Sequence, residues 1–156
     1  MSSVSFVTAF IDIYLGGIGN KTIYWRFQHF KDIVETGIKI CVYTTEKEYN
    51  LLKDFINKYD NVKIIKISLN DLQPYNDCKN IKYSLPEYRN KTKDTLEYLS
   101  LMQSKIVFLH HATMENYWNT THFAWIDFSI SYIFKNKKQT LQKLIHISNI
   151  TFNKNN

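Results

Sequence analysis

The sequence contains few of the residues that mark disulfide-stapled, zinc-binding or membrane-spanning chains. It has two cysteines, and neither Cys41 nor Cys78 has metal-ligand spacing or a partner motif, so neither a disulfide framework nor a zinc site is indicated. No apolar run approaches the roughly 20 residues that span a bilayer. The N-terminus also lacks the charged and apolar regions of a signal peptide. We therefore expect a cytoplasmic protein without a transmembrane segment.

Arginine is also scarce, which bears on the meaning of the net charge of +6. Only Arg26 and Arg89 are arginines among the 20 basic residues, and the 18 lysines are spread along the chain. Readout of guanine and phosphate usually recruits arginine, and a nucleic-acid-binding surface needs clustered basic residues. The composition therefore predicts that nucleic acid is not a partner.

Several motifs of nucleotide binding and catalysis are missing. The chain has no G-x-G-x-x-G, no G-x-x-x-x-G-K-[ST] and no G-x-S-x-G, so it carries no dinucleotide fingerprint, Walker loop or nucleophile elbow. Neither cysteine has a histidine nearby. No signature of nucleophilic catalysis is therefore visible.

What the chain does contain is enough apolar material for one folded domain. Its 156 residues favour a single domain, and 44% of them are hydrophobic and 15% aromatic, which is typical of a sequence that folds. We expect residues 1–150 to form this domain and residues 151–156 to be a disordered tail.

The first half of the chain alternates strand and helix patterns. Short apolar runs predict three buried strands, at 5–13, 38–43 and 62–67. Between them, helical spacing predicts one helix that begins after Thr22 and stops at Gly37, and a second that Thr45 caps. This β-α-β-α-β order predicts a three-layer α/β fold, a mostly parallel sheet with flanking helices.

The second half is less regular. Glycine and proline predict loops at 15–20 and 70–87. A helix is expected from about Tyr88 toward Met102 or further, while 104–109 fits either a strand or the last turns of a buried helix. A further strand is expected at 122–130, and a short helix at 141–147.

Polar residues at the carboxyl ends of the predicted strands mark a candidate site. Asp12, Tyr43–Thr45 and Asp127 lie at such ends, and ligands of open α/β sheets bind beyond them. If the strand at 122–130 joins the same sheet, these residues converge in space.

Asp127 and Lys105 each allow two interpretations. Asp127 lies in an apolar run, where a carboxylate needs a partner; a divalent cation on two phosphates is one such partner, and a neighbouring turn that it caps is another. Lys105 either binds a partner in the site, which would be a phosphate or an acidic residue, or is simply a surface lysine.

Three segments together resemble a known family. SFVTAFIDI (5–13), LMQSKIVFLHHA (101–112) and THFAWIDFSI (121–130) resemble the bacterial HtrL/YibB/WlaTC family, which is associated with surface-glycan loci and is similar to GT-A glycosyltransferases. The resemblance implies a GT-A-like fold, of the nucleotide-diphospho-sugar transferase type.

The resemblance also implies positions for a nucleotide-sugar site. Five residues at the ends of the first two strands would border the nucleoside: Thr8, Ala9, Asp12, Tyr43 and Thr44. Lys105 would lie near the diphosphate. Asp127 and Ser129 would take the place of the D-x-D motif, in which a carboxylate holds Mn²⁺ or Mg²⁺ on the diphosphate.

The function implied by the resemblance is that of a metal-dependent glycosyltransferase. It would transfer a sugar from a UDP- or GDP-sugar to a glycan or protein acceptor. The alternative is a noncatalytic remnant of such an enzyme, acting as a nucleotide- or sugar-binding or assembly module. GT-A enzymes continue well past the metal motif, so a second copy or a partner chain could complete the site.

Overall fold

The computed structural model describes residues 4–14, 17–18 and 20–150. The predicted tail at 151–156 and part of the predicted loop at 15–20 lie outside these residues. The strands are β1 (Val4–Phe10), β2 (Gly17–Ile18), β3 (Lys21–Thr22), β4 (Lys39–Thr44), β5 (Val62–Lys66) and β6 (His122–Trp125). The α-helices are α1 (Ile23–Val34), α2 (Glu46–Ile56), α3 (Gln73–Cys78), α4 (Leu96–Gln103), α5 (Lys105–Glu115) and α6 (Lys137–Ser148). Two 3₁₀ helices span Leu69–Asp71 and Ile130–Ile133.

The main sheet is parallel, which confirms the α/β prediction. Its four strands run in the order β5-β4-β1-β6, while β2 and β3 form a separate antiparallel pair. β1 is central: Val7 lies opposite Cys41 of β4 and opposite Trp125 of β6. A strand in this position is covered on both faces, which explains why β1 is an almost continuous apolar run.

One face of the sheet packs against α1, α2 and α6. Phe6 and Phe10 of β1 share a core with Phe30 and Ile33 of α1 and Leu52 of α2, and α6 packs against its edge. Burial of one such side chain contributes roughly 1.5–3 kcal/mol. The apolar residues of α1 and α2 recur at helical spacing because this spacing places them on the face of each helix that is buried against the sheet.

The opposite face carries a second, smaller core beneath α5. Phe108 and Ala112 are buried there, and because they are four residues apart they form one stripe of the helix. The ring of Tyr43 in β4 stacks on Phe108 with a centroid distance of 4.6 Å. Helices on both faces complete the predicted three layers.

The helix-start signals of the first half are confirmed. The Thr22 hydroxyl accepts a hydrogen bond from the Trp25 amide at 3.1 Å, and α2 begins directly after Thr45. Gly37 lies two residues past the C-cap of α1 and has φ +76°, a conformation that favours glycine. None of the helices in the described ranges is long and apolar enough to cross a membrane.

The second half departs from prediction in its boundaries. The helix expected from Tyr88 begins at Leu96, after the Thr95 cap, and the ambiguous segment at 104–109 is helical. The strand expected at 122–130 ends at Trp125. The predicted loop at 70–87 is helical in its first part. Pro74 does not prevent this, since it lies in the first turn of α3, where proline is tolerated.

Candidate ligand-binding site at the carboxyl ends of the strands

A cavity opens at the point where the strand order of the sheet reverses. From β1 the chain proceeds to β4 and β5 on one side, and β6 lies on the other side of β1. The crevice at such a switch point is where open α/β sheets bind ligands. The cavity found there has a volume of about 560 Å³, which is in the range of small-molecule sites.

Five of the eight sequence-predicted site residues line this cavity: Ala9, Asp12, Lys105, Asp127 and Ser129. They come from the end of β1, the start of α5 and the segment after β6. Residues more than a hundred positions apart are thus brought to one wall by the pairing of β1 with β6.

The other three predicted residues lie inside the sheet. Thr8 is fully buried. The Thr44 hydroxyl donates a 2.7 Å hydrogen bond to the carbonyl of Phe10. The Tyr43 hydroxyl is 2.8 Å from Nδ1 of His111, on the α5 face. All three are therefore part of the packed sheet, and their contact with a nucleoside stays a prediction.

Asp127 is held by two donors on the cavity wall. Its Oδ1 accepts a 2.8 Å hydrogen bond from Nε1 of Trp125 and lies 3.1 Å from Nζ of Lys105. The Lys105 ammonium also sits 5.0 Å from the centre of the Trp125 ring. Burial acts to raise the pKa of Asp127, but the hydrogen bonds from Trp125 and Lys105 and the lysine charge outweigh it and lower that pKa. The carboxyl is therefore ionised at neutral pH.

Asp12 is the second carboxylate of the wall, and it is much more enclosed. Its side chain is 4% exposed, against 59% for that of Asp127. One carboxylate oxygen lies 3.5 Å from Nζ of Lys47 in α2. Asp12 thus ties the end of β1 to the beginning of α2.

Positive charge exceeds negative charge on the wall. The cationic side chains are Lys21, Arg26, Lys93 and Lys105, and the acids are Asp12 and Asp127. Within the described ranges, Lys105 is the one of these four cations that forms an ion pair with a carboxylate. An anionic ligand is the chemical complement of such a surface.

Aromatic rings accompany the cations. Nζ of Lys21 lies 4.3 Å from the centre of the Tyr132 ring. At another part of the wall, burial and the nearby Tyr98 raise the pKa of the Tyr14 phenol, while Arg26 acts to lower it. Rings of this kind supply flat surfaces on which a base or a sugar can stack.

Sequence reasoning missed Arg26 and Lys21, and it missed the aromatic residues Tyr14, Tyr98 and Tyr132. A signal for Arg26 was present, because it lies in the first turns of α1, the first helix after β1. In a β-α unit that end of the helix faces the carboxyl edge of the sheet. Lys93 and Tyr98 had no such signal, since they follow an irregular segment.

The cavity can be tested against the divalent cation that the family resemblance implies. Asp127 and Ser129 both line the wall. However, among the described residues no group of three or more His, Cys, Asp or Glu side chains is placed to hold a metal ion. Hard divalent cations need several oxygen ligands, and Oδ1 of Asp127 already accepts two hydrogen bonds. This donor set does not fit a protein-held metal, and we assign no chemical step to one.

A short hydrogen-bonded cluster positions the wall segment after Asp127. Ser131, in the 3₁₀ helix at Ile130–Ile133, has its hydroxyl 2.7 Å from Oδ2 of Asp32 and 3.0 Å from Nδ1 of His29. Nζ of Lys137 lies 2.8 Å from the same Asp32 oxygen. Ser131 is 1% exposed, so this cluster anchors the wall to α1.

The fold and the site together define an α/β domain with a cation-rich cavity at the switch point of a parallel sheet. The chain belongs to the HtrL_YibB family, since the model of that family, described as a bacterial protein of unknown function, matches residues 2–150. This match confirms the predicted membership of the HtrL/YibB family. Comparisons with curated proteins and with solved structures find no match.

Proposed function

We propose that the cavity binds a nucleotide sugar and that the protein uses it as the donor in glycosyl transfer to a glycan or protein acceptor. The observation that carries this proposal is the excess of cationic over acidic side chains on one cavity wall at the sheet switch point. The GT-A-like character of the fold belongs to the same proposal and is supported by the parallel sheet and the position of the cavity.

The charge pattern favours a diphosphate over a neutral sugar. Each phosphate of a nucleotide sugar carries a negative charge, and Lys and Arg side chains bind phosphate through charge-assisted hydrogen bonds. Lys21, Arg26 and Lys93 line the cavity, and within the described ranges no carboxylate neutralises them. These three cations are available to phosphate oxygens.

The same cations suit the transfer step. The bond between the anomeric carbon and the phosphate oxygen breaks, and its electron pair passes to the diphosphate. The acceptor hydroxyl oxygen bonds to the carbon, and its proton passes to an oxygen of the leaving diphosphate. Charge therefore develops on the leaving diphosphate, where preorganised cations stabilise it most. The role of the cavity wall in this step is to bind and neutralise the leaving group.

A noncatalytic binding module is the second candidate, and one observation favours it. Both carboxylates of the cavity wall are already ion-paired, Asp12 with Lys47 and Asp127 with Lys105. Within the described ranges this wall therefore offers no unpaired carboxylate as a base for the acceptor hydroxyl. Hydrolysis or transfer of a bound nucleotide sugar would support the enzyme, whereas binding without turnover would support the module.

Thermal unfolding with a nucleotide panel tests the binding. UDP, GDP and their sugars are compared with uridine, guanosine and inorganic diphosphate. A ligand at 100 times its Kd adds about 2.7 kcal/mol to the free energy of unfolding, and each kcal/mol raises the Tm of a domain this size by about 2–4 °C. A rise with one nucleoside diphosphate family and not with its nucleoside is expected.

A charge-matched pair of variants locates that binding. Arg26→Gln removes one positive charge from the cavity wall, and Lys143→Gln removes one from the exposed surface of α6. We expect the first to reduce the nucleotide-dependent rise in Tm and the second to retain it. Equal effects would point to nonspecific charge, and no rise with any nucleotide would overturn the proposal.

A further inference from the structure

The pair of Lys105 and Asp127 occupies the place where the family resemblance implies a metal site. Nζ of Lys105 and Oδ1 of Asp127 are 3.1 Å apart, and Nε1 of Trp125 donates to the same oxygen at 2.8 Å. The lysine is further fixed above the Trp125 ring, at 5.0 Å from its centre. Two side chains, Asp127 and Trp125, thus hold the Lys105 ammonium group at the cavity wall.

A divalent cation at Asp127 would have to compete with this ammonium group. Two cations at one carboxylate repel each other, and the carboxylate charge is already matched by the lysine. The second acid of the wall offers little help, because the side chain of Asp12 is 4% exposed and faces Lys47 at 3.5 Å. The positive charge at this point of the wall is therefore carried by a side chain of the protein.

The chemistry of lysine allows this ammonium to serve a ligand as well. It carries three N–H donors and no acceptor, and the bond to Asp127 uses one of them. The Lys105 side chain is 30% exposed and lines the cavity, so its remaining donors are accessible to phosphate oxygens. Asp127 and Trp125 then act as positioning residues that aim the ammonium group.

We propose that Lys105 replaces the divalent cation, so that the cavity binds a nucleoside diphosphate without metal. This inference rests on the proposed function and specifies its mode of binding. Lys105 contacts the diphosphate directly, whereas Asp127 acts through Lys105.

The first experiment measures the Kd of UDP and GDP for the full-length protein by calorimetry, in EDTA and then in Mn²⁺ or Mg²⁺. We expect the same Kd, within about twofold, in all three conditions. Binding that requires the metal would overturn this inference and leave the proposed function intact. No binding in any condition would overturn both.

The second experiment compares variants of the lysine. Lys105→Met should weaken UDP or GDP binding in EDTA by about tenfold or more, which is the effect of one lost hydrogen bond to a charged group, while Lys143→Met on α6 should bind like the wild type. The Tm of each variant establishes that it folds. If Lys105→Met does not fold, Lys105→Gln takes its place in the binding measurement.

A third measurement separates a direct role for Lys105 from a structural one. In Lys105→Met, Asp127 loses its cationic partner, so Mn²⁺ should now partly restore nucleotide binding. The double variant Lys105→Met with Asp127→Asn should show no such rescue. Unchanged affinity in Lys105→Met, or equal Mn²⁺ effects in the wild type and this variant, would overturn the inference.

Discussion

The ring of Phe128 stacks on the ring of Phe30 with a centroid distance of 4.1 Å and an interplanar angle of 16°. Its other face stacks on Phe10 at 4.6 Å. Since Asp127 and Ser129 flank Phe128 in sequence and both line the cavity, this buried ring fixes the position of the wall between them. The core of α1 and the candidate site are therefore mechanically linked.

Removing that ring should destabilise the whole domain. We expect Phe128→Ala to lower the free energy of unfolding by about 3–5 kcal/mol, because the transfer energy of the ring is lost and a cavity is left behind. Urea unfolding measures this change. Tyr88→Ala is the control, because Tyr88 is 94% exposed and its loss should change stability by less than about 0.5 kcal/mol. A loss below about 1 kcal/mol for Phe128→Ala would contradict the packing described.

Two buried threonines should respond oppositely to the same substitution. Thr8 and Thr44 are both 0% exposed, on neighbouring strands. Within the described ranges the Thr8 hydroxyl has no hydrogen-bond partner, whereas the Thr44 hydroxyl donates to Phe10. Because a buried unpaired polar group costs about 1–3 kcal/mol, Thr8→Val should raise Tm and Thr44→Val should lower it.

The same pair informs the nucleotide site. If Thr8 acts only in the sheet, Thr8→Val leaves the affinity for UDP or GDP unchanged. A gain in stability together with a loss of affinity would instead assign Thr8 to the ligand. Thermal unfolding and calorimetry on one preparation distinguish these results.

His29 should make stability depend on pH. Burial first, and the charge of Lys137 second, lower the pKa of His29, and Asp32 opposes them only in part. The unfolded chain therefore binds a proton more readily than the folded protein. The stabilisation is complete above the ordinary value of about 6.5 and is lost as pH falls through the lowered value.

Urea unfolding at pH 8 and pH 5 tests this dependence. We expect the wild type to lose more stability between these values than His29→Gln, which cannot gain a proton there. Parallel losses in the two proteins would show that the contribution comes from other groups.

Asn61 should be important for stability although it is polar. It is 4% exposed, and its side-chain amide donates to the carbonyls of Val34 at 3.0 Å and Ile38 at 2.8 Å. We expect Asn61→Ala to lower the free energy of unfolding by about 2–3 kcal/mol, because buried acceptors lose their donor. Asn50→Ala, on the exposed side of α2, is the matched control, and equal effects of the two would refute this role.

Local patterns predicted the first half of the fold well because its signals are local. Thr22 caps α1, Thr45 occupies the N-cap position of α2, and the apolar runs around them are strands. In α5 the pattern was ambiguous because Ile106 is 72% exposed while Phe108 is buried. Which apolar residue faces the core is decided there by packing against the sheet, which the segment itself does not encode.

The prediction of the candidate site agrees with the cavity on only one side of β1. The strand-end rule placed Asp12 and Asp127 together, and the structure brings both to one cavity. It also suggested Tyr43 and Thr44, which lie on the other side of β1. The cavity lies on the side of β1 where β6 pairs with it. That pairing depends on where the chain re-enters the sheet after β5, and no local periodicity specifies this position.

The pairing of β1 with β6 also determines when the cavity can exist during folding. Strands β1, β4 and β5 come from one continuous stretch, whereas the hydroxyls of Ser5 and Thr120, 2.7 Å apart, join residues separated by 115 positions. Closure of so large a loop has a greater entropic cost than the local pairings, and nonlocal contacts of this kind slow folding. A sheet of β1, β4 and β5 alone lacks the cavity wall that β6 and the segment after it supply, so a ligand in the cavity stabilises the fully assembled sheet.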